Sequence, residues 1–105
     1  MSKINIFQGQ APNAVGAAYT ATIDTTIDAA SVCNTSGAGV DLSVWLDPAG
    51  AASGNANKVY DALTIAAHTA VPLSLLINQA IPKGGKLYLL ASAATSLTVI
   101  VAGRT

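Results

Sequence analysis

The feature that most constrains this chain is an alternation of apolar residues with a period of two. In VDLSVWLD, Leu42, Val44 and Leu46 alternate with Asp41, Ser43, Trp45 and Asp47. Successive side chains of a strand point to opposite sheet faces, so this spacing predicts a strand with leucines and valine on one face. LTVIVAG repeats the device, with Leu97, Val99 and Val101 opposed to Thr98 and Ile100. AAYTATID around residues 19–23, ASVC around Val32 and KLYLLA at residues 86–91 are further strand-like runs, rich in β-branched or aromatic residues. NKVYDALTIA, residues 57–66, is ambiguous. Val59, Leu63 and Ala66 could form a helical stripe, but the run is short and bounded by Gly and Asn, which favours a strand.

Turn chemistry separates these runs. NTSGAG (34–39), DPAGAASGNAN (47–57), IPKGGK (81–86) and SAATS (92–96) supply Gly, Asn, Asp-Pro and Ser at the points where a chain must reverse. Such signals recur about every ten residues, which predicts an all-β fold: an antiparallel β-sandwich or jelly roll of about eight strands. Residues 15–105 read as one sandwich domain. Residues 1–14 read as an extended N-terminal arm, with Ile4, Ile6 and Gln8 alternating before a Pro-Asn turn. Such an arm could add a strand to a neighbour.

Composition narrows the function classes. The chain of 105 residues has five basic and five acidic residues, zero formal charge and only 10% charged residues. Every acid is an Asp, and Ala, Gly, Ser and Thr make up nearly half of the sequence. The scattered lysines exclude the basic footprint that nucleic acid or an anionic membrane would require. A free soluble domain normally carries about a quarter charged residues, so this one is either an unusual secreted protein or hides much of its surface against other subunits. Cys33 stands alone and cannot form an intramolecular disulfide. MSKINIFQGQ lacks the apolar core of an export signal, and no run approaches the roughly 18 apolar residues of a membrane span. The expectation is a protein made in the cytoplasm.

The search for chemistry returns little. His68 has no second His, Cys or carboxylate at ligand spacing, and reads as a turn or surface residue. Cys33 reads as a buried, inert thiol, and a Cys33–His68 nucleophile pair has no supporting signature. Asp24 and Asp28 would share a face only on a helix, which the β-branched residues between them oppose. PKGGK lacks the spacing of a phosphate loop and reads as a hairpin turn. Asn34-Thr35-Ser36 is a sequon in form, and a polar turn without a secretory route. No catalytic residue, metal ligand or cofactor site is expected.

The aromatics are few, so the core should be built from Leu, Ile, Val and Ala. Trp45 falls opposite Leu42 and Val44. It is either an exposed anchor for a partner or a ring covered by the N-terminal segment or a loop. The candidate contact residues are Ile4, Ile6 and Phe7 of the arm, together with Trp45 and Tyr60.

The order ASVCNTSGAGVDLSVWLDPAG (30–50), AASGNAN, LTIAAHTAVPLSL (63–75) and IPKGGKLYLLASAATSLTVIVAG (81–103) resembles small virion proteins of tailed bacteriophages. In these a strand ending in "cNtsg" leads to an alternating strand and a "p-x-G" loop, and an "as-v-v-v-x-G" strand closes the domain. The likeness covers residues 15–103. The chain departs from the pattern at Lys86, where an acid is usual, and at its GRT ending. The resemblance implies a non-enzymatic virion protein, a β-sandwich or jelly roll that decorates and cements the capsid. Its partners would be the major capsid protein and copies of itself, as a homotrimer, with assembly in the host cytoplasm. The competing expectation is a tail, baseplate or fibre-attachment component that acts as an adaptor or binds a glycan near Trp45, Asp41 and Asp47.

Overall fold

The alternating segments become strands of two antiparallel sheets. The structure, a computed structural model, describes residues 3–49, 54 and 57–105. In chain order the strands are β1 (Lys3–Gln10), β2 (Gly16–Thr20), β3 (Thr25–Asn34), β4 (Val40–Asp47), β5 (Lys58–Ile65), β6 (Ala70–Pro72), β7 (Ala80–Ile81), β8 (Lys86–Ala91) and β9 (Leu97–Arg104). One sheet runs β1-β9-β3-β6, with β7 also on β3, and the other runs β2-β8-β4-β5.

The short strands β6 and β7 lie on the same edge of β3. Ser31 pairs with Pro72 on that edge and with Ile100 on the other, and Thr26 likewise pairs with Ala80 and Arg104. Between them a 3-10 turn at Ser74–Leu76 drops Leu73 and Leu76 into the core, both fully buried. The two are therefore one edge strand interrupted by a plug, which leaves eight strand positions. Apart from the β4–β5 hairpin and this broken strand, each connection crosses from one sheet to the other. That winding is a jelly roll.

The core follows the alternation. Leu42, Val44, Leu87, Leu89, Leu97, Val99 and Val101 are fully buried between the sheets, and no aromatic side chain belongs to the fully buried cluster. Each apolar side chain of this size contributes about 1.5–3 kcal/mol when removed from water. Where the alternation breaks, a bulge is responsible. In β3 the buried set is Thr25 and Ile27, then Ala30, Val32 and Asn34, because the register against β9 shifts between Ile27 and Ala29. The extra residue moves the inward face by one position. In β1 a shift between Asn5 and Phe7 has the same effect.

Several expectations need correction. Residues 3–10 do not leave the body as an arm. They form β1, hydrogen-bonded to β9 of the same chain from Lys3↔Arg104 to Gln10↔Thr98. The cause is the inward side chains: Ile6 is 5% exposed, and Ile4 and Phe7 pack against the core. The strand read around residues 19–23 lies earlier, at Gly16–Thr20, because Ala21 is already committed to a turn that hydrogen-bonds Gly84 and Gly85. Cys33 is half-buried, since β3 alternation points it away from the core. The long connection after Asp47 lies mostly outside the described residues.

Two glycines are demanded by geometry. Gly84 adopts φ +87° in the turn between β7 and β8, a conformation that other residues adopt only under strain. Gly103 lies against the Thr26 carbonyl and Ile6, and a Cβ there would collide with both.

Candidate interaction surfaces

The jelly roll has two ends, and the sequence furnishes them differently. One end gathers the loops at residues 11–15, 35–39, 66–69 and 92–96. They are tied to each other by backbone hydrogen bonds: Ala91 N–H to Pro12 O (2.7 Å), Thr35 N–H to Ser96 O (2.9 Å) and His68 N–H to Ser36 O (3.2 Å). At their centre is Asn34, fully buried at the end of β3. Its Nδ2 donates to the carbonyls of Ala38 (2.8 Å) and Ile65 (2.9 Å), and its Oδ1 accepts from Ser36 N–H (2.9 Å) and Ser36 Oγ (2.7 Å). An amide with both donors and its acceptor engaged carries no desolvation debt. The burial of this side chain also removes it as a glycan acceptor. None of the four loops contains a charged side chain.

The opposite end gathers the turns at residues 21–24 and 82–85 with the start of β1 and the finish of β9. Lys83 N–H bonds Asp24 Oδ1 (2.9 Å), and Gly84 N–H bonds Ala21 O (2.8 Å). Asp28 sits at the β3 bulge between two cations, with Lys3 Nζ and Arg104 Nε each 3.5 Å from one of its oxygens. Lys58 and Asp61, in the half of β5 nearest this end, pair at 2.8 Å. Asp47 and Lys86 face each other across β4 and β8. Of all the charged side chains only Asp41 lies toward the other end, where it accepts a hydrogen bond from Thr64 Oγ1 (2.7 Å).

The two sheets also present outer faces. That of the β1-β9-β3-β6 sheet is small and mostly uncharged: Gln8, Thr98, Ile100, Ser31 and Pro72 lie across it, and Ile100 is 41% exposed. On the other sheet Trp45 faces outward beside Tyr88, its partner on β8. Lys58 Nζ lies over the indole ring, 5.1 Å from its centroid. Trp45 is only 6% exposed and Tyr88 8%, so the ring is covered and offers no open stacking platform. A cation over Trp is worth about 0.5–2 kcal/mol, with the larger value in desolvated settings.

Of the five expected contact residues, then, Ile4, Ile6 and Phe7 face their own core and Trp45 lies under Lys58. Tyr60 is half-buried. Its ring packs on the core and its hydroxyl accepts the Leu75 N–H at 2.9 Å, which fixes the 3-10 turn that interrupts the edge strand. Leu75 and Ile77 of that turn region are exposed, at 57% and 38%, a feature that sequence pattern did not separate from their buried neighbours Leu73 and Leu76.

The surface depressions are open and small. Volumes of about 260 Å³ beside Asp24, Pro82 and Arg104 and about 220 Å³ beside Leu46, Asp47 and Lys86 lie at the charged end. One of about 330 Å³ lies beside Asn13, Asp41 and Leu90. They are at or below the lower end of the range for small-molecule sites, about 300–1,000 Å³. Among the described residues no three His, Cys, Asp or Glu side chains cluster as metal ligands. Among them, too, no helix is long and apolar enough to cross a membrane.

The fold is that of a two-sheet jelly roll whose distinguishing feature is surface rather than cavity. No protein-family model matches the chain, and no curated protein matches its sequence. Among solved structures it is similar to a chain in the structure of infectious bursal disease virus, Gx strain, with a TM-score of 0.56 and 17% identity. The similarity covers 97% of this chain and 31% of the viral one, so the protein spans under a third of that neighbour's length. At this identity the likeness is one of fold.

Proposed function

We propose that this chain is a non-enzymatic structural protein of a virus particle, and specifically a decoration protein that cements the head of a tailed bacteriophage. The observation that carries the reading is the jelly-roll winding, matched over 97% of the chain by a chain of a virus structure. The low charge supports it, because subunits with zero formal charge do not repel one another when crowded on a shell. Its partners are the major capsid protein and copies of itself, assembled as a homotrimer in the virion. Cementing needs no strong single contact. A subunit that bridges neighbouring capsomers is held by several weak contacts at once, and linked sites multiply into avidity.

Quantifying the chain in purified particles tests this. Copy numbers on the order of hundreds, as multivalent shell coverage requires, support decoration of the head. Tens or fewer per particle would move the protein to the tail, baseplate or fibre as an adaptor, and absence from particles would overturn both assignments.

A further inference from the structure

We propose that the sheet edges are guarded: at each of them an extra residue or a break prevents a strand of a second copy from continuing the sheet. The inference does not rest on the proposed function, although copies crowded on a shell would need such guards most. An edge strand presents a row of unpaired N–H and C=O groups, a template for any chain that matches its spacing. A bulge breaks that match, because the extra residue shifts the row and adds twist.

Among the described residues the two sheets end in β1, in β6 with β7, in β2 and in β5. In β1 the extra residue is Ile6, between the pairs Asn5↔Ala102 and Phe7↔Val101. In β2 it is Ala18, between Ala17↔Tyr88 and Tyr19↔Leu87. The edge formed by β6 and β7 is broken by the turn that buries Leu73 and Leu76. In β5 Asp61 and Ala62 together oppose Ser43, and Val59 falls between the pairs Tyr60↔Val44 and Lys58↔Trp45. The longest uninterrupted edge run is residues 7–10, four residues, against about five or six in an ordinary strand. By contrast β4 and β8, inside the second sheet, pair without a shift from Leu42↔Ala91 to Asp47↔Lys86. Inside the first sheet, the shift of β3 on β9 at Asp28 adjoins the β1 bulge across Ala102.

The guard on β5 is held under strain. Ala62 adopts φ 51°, a left-handed conformation unfavourable for any residue with a Cβ, and its N–H is bonded to Ser43 Oγ at 3.0 Å. Asp61 beside it adds an exposed charge, a second device that edges use. The core does not require this kink. Without Ala62, which is exposed, Tyr60, Leu63 and Ile65 would alternate inward opposite Val44, Leu42 and Val40. Deleting it therefore straightens the edge and keeps the inward face.

The test removes the guard from β5 in two ways, by deleting Ala62 or by deleting Asp61, and keeps it in Ala62→Gly. Either deletion leaves a single residue opposite Ser43, and far-UV circular dichroism with a thermal melt establishes whether the product is folded. Amide hydrogen exchange is then followed over a concentration series. In the unsubstituted chain and in Ala62→Gly, exchange of the edge-strand amides is expected to be independent of concentration. In a folded deletion variant the β5 amides should slow at least about tenfold as concentration rises, because a second strand covers them. Edge protection that grows with concentration in the unsubstituted chain or in Ala62→Gly overturns the inference. Folded deletion variants whose β5 amides stay unchanged do the same. Failure of both deletions to fold would assign the extra residue to folding and also overturn it. None of these outcomes bears on copy number in particles, so the proposed function stands or falls separately.

Discussion

The two ends of this sandwich hold their loops by different means. At the uncharged end a single buried amide, Asn34, organises the loop after β3 and reaches the last residue of β5. At the charged end the strands β1, β3 and β9 are tied by Asp28 and its two cations at 3.5 Å, with the Lys3 side chain 84% exposed. The difference teaches where each kind of bond is worth having. A neutral amide can be buried completely if its donors and acceptor are all used, whereas ion pairs left near solvent are screened and contribute about 0–1 kcal/mol.

The comparison can be broken at several points. The largest effect is expected from deleting residues 3–10, which join both ends. The deletion removes Ile6 from the core and exposes the edge of β9. The shortened chain should show no cooperative thermal transition. A folded product would mean that β1 is dispensable after all. Gly103→Ala should cost about 2–3 kcal/mol, since the added methyl meets the Thr26 carbonyl at the β3 bulge. Retained stability there would mean that the bulge can open. Asn34→Ala should cost about 2 kcal/mol in urea unfolding, because the buried carbonyl of Ile65 loses its donor and Ser36 N–H its acceptor. A loss below about 1 kcal/mol would show that water reaches these groups. At the small end of the scale, Lys3→Ala should shift stability by at most about 1 kcal/mol, and less at high salt. A larger, salt-independent loss would show that this pair is shielded from solvent.

Much of the architecture was legible in the sequence, for reasons that particular strands make plain. The segments carrying Leu42 and Val44, and Leu97, Val99 and Val101, alternate without interruption, and those residues are fully buried. The ambiguous run after Asn57 is a strand, as its flanking turn residues indicated, though it carries a left-handed kink at Ala62 (φ 51°) whose N–H bonds Ser43 Oγ. The arm reading failed at a bulge, and the strand read around residues 19–23 at a turn. The shifts in β1 and β3 swap the inward face in mid-strand, so neither segment shows one clean period, and β1 passed for an arm that pairs with a neighbour. The candidate surface was less legible. Trp45 reads correctly as outward-facing, but its cover includes Lys58, its register partner on β5 across the long connection, a pairing invisible to pattern. The separation of charge between the ends emerges only when the winding is known, because jelly-roll connections send successive loops to opposite ends. In the linear sequence the charges look scattered.

The pairing of β1 with β9 also bears on how the molecule is made. Residues 3–10 leave the ribosome first among the described strands, and the partner that covers them, Leu97–Arg104, leaves last. Until then Ile4, Ile6 and Phe7 have no sheet to join. The first sheet cannot close around its centre while β9 is missing, since β9 is the strand between β1 and β3. Contacts this distant in sequence fold slowly, because the loop must be closed before any pairing rewards it. From the synthesis of β3 until that of β9, the nascent chain therefore carries an unpaired edge on β3. Its sparing use of large apolar residues outside the core suits a chain that must wait.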